Sequence, residues 1–190
     1  MNGAGIQLIA VSDSDTRDSA RALITEYLRW IAREAADRYG LTFDIDAMVH
    51  SDLEDPSKFF PPAGRFYLVR YESRDVGVGC LKALTPEIAE IQRMYIRPDV
   101  RGVGAGRRLL EQLMTDARDI GYCVIRLESL KFLSPAHTLY RSVGFVEITP
   151  YDDNSMKAYQ AADAEDAYRA SVVFMEARLD PDSNHERRYR

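Results

Sequence analysis

The run Arg101-Gly102-Val103-Gly104-Ala105-Gly106 follows an apolar, strand-like stretch and opens a segment with helical spacing of its apolar residues. Three glycines within five residues strip away side chains where the backbone has to come close to something. A helix that starts here aims its first N–H groups, which have no intrahelical partner, at the same place, and the helix dipole adds about half a positive charge. A glycine turn joined to a helix N-terminus is an anion site, and its natural occupant is a phosphate or pyrophosphate. Arg101 stands at the start of the turn, and Arg107 and Arg108 follow it, so all three are candidates for charge-assisted contacts. For Arg107 and Arg108 an exposed helix face is the competing reading.

Two phosphate-binding patterns fail on the residues themselves. A P-loop needs a glycine, four residues and then Gly-Lys-Ser/Thr, and no such string occurs. A dinucleotide fingerprint begins at Gly102-Val103-Gly104, but its third glycine would fall on Arg107, and the run sits mid-chain after a strand meander. Metal chemistry has little to work with. The three histidines, His50, His137 and His185, are scattered, and Cys80 and Cys123 lie in separate apolar runs that read as buried thiols in a reducing compartment. No metal is expected.

The elements that position the turn can be read from periodicity. Ile6–Val11 reads as a strand, Ser12–Thr16 supplies helix caps, and Ala20, Leu23, Ile24, Tyr27, Leu28, Ile31 and Ala35 recur at helical spacing until Gly40. Phe43–Leu53 reads as a shorter helix, and Phe66–Tyr71 and Val76–Leu84 as a hairpin around Glu72-Ser73-Arg74-Asp75. Ile88–Ile96 is a strand whose alternation puts Ile88, Glu90, Gln92 and Met94 on one face. After the glycine turn, Leu109, Leu110, Leu113, Met114 and Ala117 form the apolar face of a helix that stops at Gly121. Cys123–Leu127 is the next strand, Ser134-Pro135 starts a short helix that ends near Val143, and Phe145–Ile148 and Val172–Leu179 are the last strands. The polar, alanine-rich stretch Tyr151–Ser171 holds a possible helix around Met156–Tyr168, and serves as a lid over the site or as a homodimer interface. This order predicts an α/β (α+β) fold with a central mixed sheet of about seven strands flanked by about four helices.

With 190 residues and a hydrophobic fraction of 46%, the chain suits one domain, residues 1–180, followed by a flexible polar tail, 181–190. Its net charge of −5 disfavours general binding to nucleic acid or to an anionic membrane. No stretch approaches the roughly 18 apolar residues of a membrane span, and no basic start followed by an apolar run marks a signal peptide. The expected location is the cytoplasm.

Beyond the turn, the chain resembles the GNAT N-acetyltransferases. Arg101-x-x-Gly104-x-Gly106 matches that family's Gln/Arg-x-x-Gly-x-Gly/Ala coenzyme A loop at a strand-to-helix junction. Glu90-x-x-x-Met94-Tyr95-Ile96-x-Pro98 before it is similar to the family's fourth strand. Ala136-x-x-Leu139-Tyr140-x-x-x-Gly144-Phe145 after it is similar to the C-terminal signature, and the match is close from about Phe66 to Tyr151. The resemblance implies the GNAT fold and transfer of an acetyl group from acetyl-CoA to a primary amine of a small molecule, amino acid or peptide. The attack would be direct, within a ternary complex. A non-catalytic acyl-CoA-sensing domain is the alternative.

The same resemblance assigns roles. The backbone of Gly102, Val103, Gly104, Ala105, Gly106 and Arg107 would hold the pyrophosphate, with Arg101 beside it. The main chain of Met94, Tyr95 and Ile96 would pair with the pantetheine arm. Tyr140 stands where the family has a tyrosine near the coenzyme sulfur; an ordinary phenol, with a pKa near 10, is protonated at neutral pH and suited to general acid catalysis. A packing tyrosine is the competing reading. Glu90 stands where some members hold a general base, against a salt bridge to Arg93 or Arg126, while Glu128 is a weaker base candidate; His137, three residues before Tyr140, reads as a surface or cap residue more than as a catalytic one. Where many members carry an asparagine ahead of the signature alanine, this chain has Leu133. Candidate acceptor-pocket linings are Tyr27, Trp30, Phe43, Phe59, Phe60 and Tyr151. Asp44, Asp46, Asp52 and Glu54 would attract a cationic amine or simply form a solvated face.

Overall fold

The computed structural model describes residues 5–151 and 164–179. Most of the helix expected around 156–168 and the expected tail 181–190 lie outside the described residues.

Helix α1 (Ser14–Tyr39) starts at a capping box: the Asp13 carboxylate accepts the Thr16 N–H at 2.8 Å, and the Thr16 hydroxyl oxygen accepts the Asp13 N–H at 3.1 Å. It stops at Gly40 in the left-handed region, and its buried stripe is the one that periodicity predicts, from Ala20 to Ala35. Asp44 caps α2 (Ile45–Glu54) through Ala47 N–H at 2.9 Å. Strand β1 (Ile6–Ala10) precedes these helices, and β2 (Arg65–Tyr71), β3 (Arg74–Ala83) and β4 (Ile88–Ile96) follow as an antiparallel meander. Helix α3 (Ala105–Ile120) then crosses to β5 (Val124–Leu130), α4 (Ser134–Arg141) leads to β6 (Val146–Ile148), and α5 (Glu165–Ser171) leads to β7 (Val172–Arg178).

The seven strands form one mixed sheet in the order β1-β2-β3-β4-β5-β7-β6, with β4–β5 the parallel pair. One core lies under α3 and α4 and includes Leu109, Leu110, Leu113 and Phe145; the other face packs against α1 and α2 through Leu23, Ile24, Leu28 and Met48. Helix α3 comes close to the sheet at Gly79, where an added Cβ would lie 2.7 Å from a Leu109 methyl carbon.

Two features of the sheet give the molecule its cleft and the walls of that cleft. First, the parallel pairing of β4 with β5 covers only Ile88–Glu90 against Val124–Arg126, so the strands part beyond Glu90 and leave an opening. Second, β4 carries a bulge. Cys80 faces Gln92 and Val78 faces Tyr95, so two residues, Arg93 and Met94, stand opposite Gly79, with Arg93 at φ 55°. This corrects the shared face expected for Ile88, Glu90, Gln92 and Met94. Met94 packs with the α3-side core, whereas Arg93 reaches Asp52 on α2 and Tyr95 reaches Glu26 on α1. One inserted residue resets a period of two, and alternation in the sequence carries no mark of it.

Smaller corrections have equally local causes. The hairpin turn is only Glu72-Ser73, both at positive φ, and Asp75 is already in β3, where it pairs with Arg70 at 2.7 Å. β5 runs three residues past Leu127 to Leu130, because β7 continues to pair with it. Cys80 is buried as expected, but Cys123 is exposed, because it precedes β5 rather than lying within it. Asp52 is fully buried rather than solvated, held by Lys58 at 2.6 Å and Arg93 at 2.5 Å.

Candidate active site

The cleft between β4 and β5 opens into a cavity of about 460 Å³ that runs from the glycine turn past Tyr140 to the face of α1 and α2. Its first end is the turn itself. Gly102 and Gly104 adopt φ of 91° and 92°, and a Cβ on either meets no atom within 4 Å. Their requirement for glycine is therefore conformational, with open space left above the backbone. Helix α3 has no side-chain cap, and its first helical bond is from Arg108 N–H to Gly104 carbonyl. Among the described residues, the N–H groups from Gly102 to Arg107 take part in no backbone hydrogen bond. Such a row of unpaired amides around a glycine turn fits a diphosphate without further donors.

The predicted loop residues divide by what they present. Gly102, Gly104, Ala105, Gly106 and Arg107 line the cavity; the Ala105 side chain is packed in the core, so its amide is what it offers. Val103 lies outside the cavity wall, with its side chain exposed. Arg101 Nε donates to the Ile96 carbonyl at 3.1 Å and its guanidinium lies 5.7 Å from the Trp30 ring, so it straps the turn to β4 as well as facing the cavity. Arg107 donates to Ser142 Oγ at 2.8 Å, which holds it against the end of α4.

Met94, Tyr95 and Ile96 form the β4 wall, and here the sheet makes no pairs on the β5 side. In a strand, alternate N–H and C=O groups point to each neighbour, so the parting exposes one set to the cleft. The Tyr95 side chain turns away from that edge: it donates to Glu26 at 2.7 Å and stacks on Tyr27 at 5.2 Å, and burial followed by the Glu26 carboxylate pushes its pKa up to about 12.

Deeper in the cleft, Tyr140 comes from α4, buried against Phe145. Burial, with the Tyr27 phenol nearby, holds its pKa well above 10, so it carries its proton throughout the neutral range. Of the two carboxylate candidates, Glu128 lines the cavity and Glu90 does not. Glu90 is fully buried behind it, accepting from Gln92 Nε2 and from Tyr151 Oη, the latter at 2.8 Å. Both Glu128 carboxylate oxygens are buried, and the carboxylate acts on the nearby Tyr168 phenol. Burial and then the two carboxylates raise Tyr151; burial and then Glu128 raise Tyr168, which puts all four groups in one buried patch. The rivals weighed for Glu90 have other ties: Arg93 bonds to Asp52, and Arg126 to Glu176 at 2.8 Å.

The far end of the cavity is walled by Tyr27, Trp30, Phe43, Ile45 and Met48, so three of the six aromatic linings expected from the sequence are in place. Phe59 is wholly in the core against Phe66, Phe60 sits beneath Arg17, and Tyr151 is behind the cavity on Glu90. Sequence reasoning missed Tyr168, Ser129 and Leu130 on the cavity wall. The signal available for the last two was the apolar continuation of β5 past Leu127; Tyr168 gave none. Among the described residues, no group of three or more His, Cys, Asp or Glu could hold a metal ion, and no helix is long and apolar enough to cross a membrane.

Known proteins similar to this chain are acetyltransferases. A model of the acetyltransferase (GNAT) domain matches residues 62–147. The chain is 33% identical over 123 residues to the uncharacterized N-acetyltransferase YjgM of Escherichia coli, covering 62% of this chain and 74% of that one. It is 32% identical over 120 residues to a protein of Azospirillum brasilense named IAA acetyltransferase, covering 62% of this chain and 76% of the relative. Among solved structures, a GNAT-family acetyltransferase from Staphylococcus aureus superposes with a TM-score of 0.68 at 17% identity, covering 92% of this chain and 99% of that one. The PaiA N-acetyltransferase of Thermoplasma acidophilum, solved in complex with coenzyme A, superposes with a TM-score of 0.62 at 16% identity, covering 91% and 98%.

Proposed function

The chain belongs to the GNAT acetyltransferase family, and we propose that it transfers an acetyl group from acetyl-CoA to a primary amine by direct attack within a ternary complex. It is an acyltransferase; the donor, the acceptor class and the residue roles are our reading. The observation that carries this reading is the cleft between β4 and β5, with a row of unpaired amides at one end and both the Tyr140 phenol and the Glu128 carboxylate on its wall. The amides of Gly102 to Arg107, with Arg101, hold the diphosphate of the donor. The open edge of β4 at Met94 to Ile96 holds its amide-bearing arm through backbone hydrogen bonds. The acceptor, a small molecule, amino acid or peptide, enters between α1, α2 and β4, against Tyr27, Trp30 and Phe43.

The reaction needs a neutral amine and a protonated leaving group. The amine nitrogen attacks the thioester carbonyl, a C–N bond forms, the C–S bond breaks, and the thiolate takes a proton. Tyr140 gives that proton, because its buried phenol keeps it at any pH where the amine is usefully neutral. The amine proton goes to the cavity carboxylate, Glu128, with Glu90 behind it in the same buried patch and reaching the cleft through Gln92. This moves the base assignment from Glu90 to Glu128. Holding both reactants in one cleft supplies much of the rate, since orientation alone is worth several kcal/mol of the barrier, on the order of 7–11 in the best cases.

Thiol release from acetyl-CoA with a panel of amines tests the reading. Tyr140→Phe is expected to lower kcat by about 100-fold or more, in the range of general acid–base effects, with coenzyme A affinity unchanged. Tight coenzyme A binding with no turnover on any amine, the same in Tyr140→Phe, would instead mark a domain that only senses acyl-CoA.

A further inference from the structure

Two buried polar side chains on the α4 side of the cleft take no part in these proton transfers. Ser129, near the end of β5, lines the cavity and is 9% exposed. His137, on α4, is 4% exposed, and its Nε2 lies 3.0 Å from Ser129 Oγ. That bond ties the imidazole to the end of the strand.

The tie matters because of what α4 lacks. It is eight residues long, too short to hold its shape unaided. Leu133 at its N-cap supplies no side-chain hydrogen bond. Within the helix, Thr138 Oγ1 donates to the Ser134 carbonyl at 3.2 Å, but the ion pair and hydrogen bond that tie α4 to other elements through Arg141 with Glu147 and Ser142 with Arg107 lie at its far end. Tyr140 follows His137 by three residues, which places it on the same helix face about one turn along. Any turn or slide of α4 at His137 therefore carries the phenol with it.

We propose that Ser129 and His137 are a positioning pair: by clamping the first turn of α4 to the end of β5, they set where the Tyr140 hydroxyl stands in the cleft. The proposal rests on the reading of Tyr140 as the acid. A group whose proton must reach a leaving thiolate is sensitive to displacement of about an ångström, a scale of error that can cost on the order of 100-fold in rate. Losing this tie leaves the links at the far end of α4 in place, so α4 is displaced only in part and the loss should be smaller.

A double-mutant cycle tests this, because residues that act through one another do not add. In the otherwise native protein, Ser129→Ala should lower kcat about ten-fold, with both KM values and coenzyme A affinity within about two-fold of native. Ser129→Thr, which keeps the hydroxyl, should recover most of the loss, and His137→Asn should repeat the pattern from the other side of the bond. In the Tyr140→Phe background, Ser129→Ala should change kcat no further. A ten-fold loss in both backgrounds, or failure of Ser129→Thr to recover activity in a folded protein, overturns the positioning pair and leaves the acid assignment standing. An unchanged kcat in Tyr140→Phe alone overturns both. Should Ser129→Ala fail to fold, His137→Asn carries the cycle.

Discussion

Gly104→Glu, set against Gly121→Glu, separates the two reasons for a glycine in the loop. The residues flank α3 at its opposite ends, with φ of 92° and 109°, and a Cβ on either meets no atom within 4 Å. Neither substitution makes a clash, so each carries only the cost of holding an L-residue in the left-handed region, about 1–2 kcal/mol. In a domain of this length, that lowers the unfolding midpoint by about 3–6 °C. The two sites differ in what they face. Gly121 N–H is already bonded to the carbonyls of Ala117 and Arg118, whereas Gly104 sits among the unpartnered amides of the turn. A carboxylate at 104 would stand beside the diphosphate proposed for this turn. One like-charge pair about 4 Å apart costs about 1 kcal/mol in water and about 4 at an effective dielectric of 20. A midpoint of about 2.5 kcal/mol corresponds to a Kd weaker by roughly 70-fold, on the order of 100-fold. Calorimetric titration with coenzyme A and a thermal melt of each variant give the two quantities. Similar melting losses with a 100-fold affinity loss at position 104 alone are expected. Equal affinity losses at both positions, or none at 104, would refute the assignment of the diphosphate to this turn.

Other consequences of the structure are as direct. Asp52→Asn takes the shared carboxylate from Lys58 and Arg93 while leaving both cations buried; breaking a buried pair in this way costs about 3–5 kcal/mol, so the unfolding midpoint should fall by about 10 °C. Arg93 is on the cavity wall, so acceptor KM should rise as well, with coenzyme A affinity kept. His137 titrates below 6.5, because of burial first and the Arg141 charge second, with Glu147 and the Leu130 carbonyl opposing. A folded pKa below the unfolded one means full stability above pH 6.5, lost as the pH falls toward the folded value. Melting midpoints of the native protein should therefore drop on acidification through that window, and the His137→Asn midpoints should drop less. Glu128→Gln should lower kcat by about 100-fold at neutral pH, with partial recovery at a pH where the acceptor amine is itself neutral; a flat response in a pH series would return the base role to Glu90 or to water.

The local features were legible in the chain because each depends on neighbours a few residues away. The Asp13 and Gly40 ends of α1, the apolar face of α3, and the turn from Arg101 to Gly106 follow from capping, helical period and the conformational freedom of glycine. The loop, with Glu90 to Pro98 before it and Leu139 to Phe145 after it, was enough to point to the family and so to coenzyme A chemistry. What could not be read is whatever depends on which strand lies opposite. The bulge at Arg93 exists because two residues of β4 face one glycine of β3, and it moved Met94 to the other face from Glu90. Register also ends the β4–β5 pairing at Glu90, and with it decides that Glu128, two residues past the last pair, meets the cavity while Glu90 is sealed behind. Asp52 reads as one of several surface acids until Lys58 and Arg93, the latter 41 residues away, close on it. Ser129 and His137 are near in sequence, but their bond requires a two-turn helix to pack back over the end of its preceding strand. Short-range patterning thus determines the family and the glycine turn on which the proposed donor site rests. The placement of Tyr140, Glu128 and the aromatic walls around the cavity comes from pairing and packing between distant segments, whose outcome is a sum of many weak contacts that no short stretch of sequence contains.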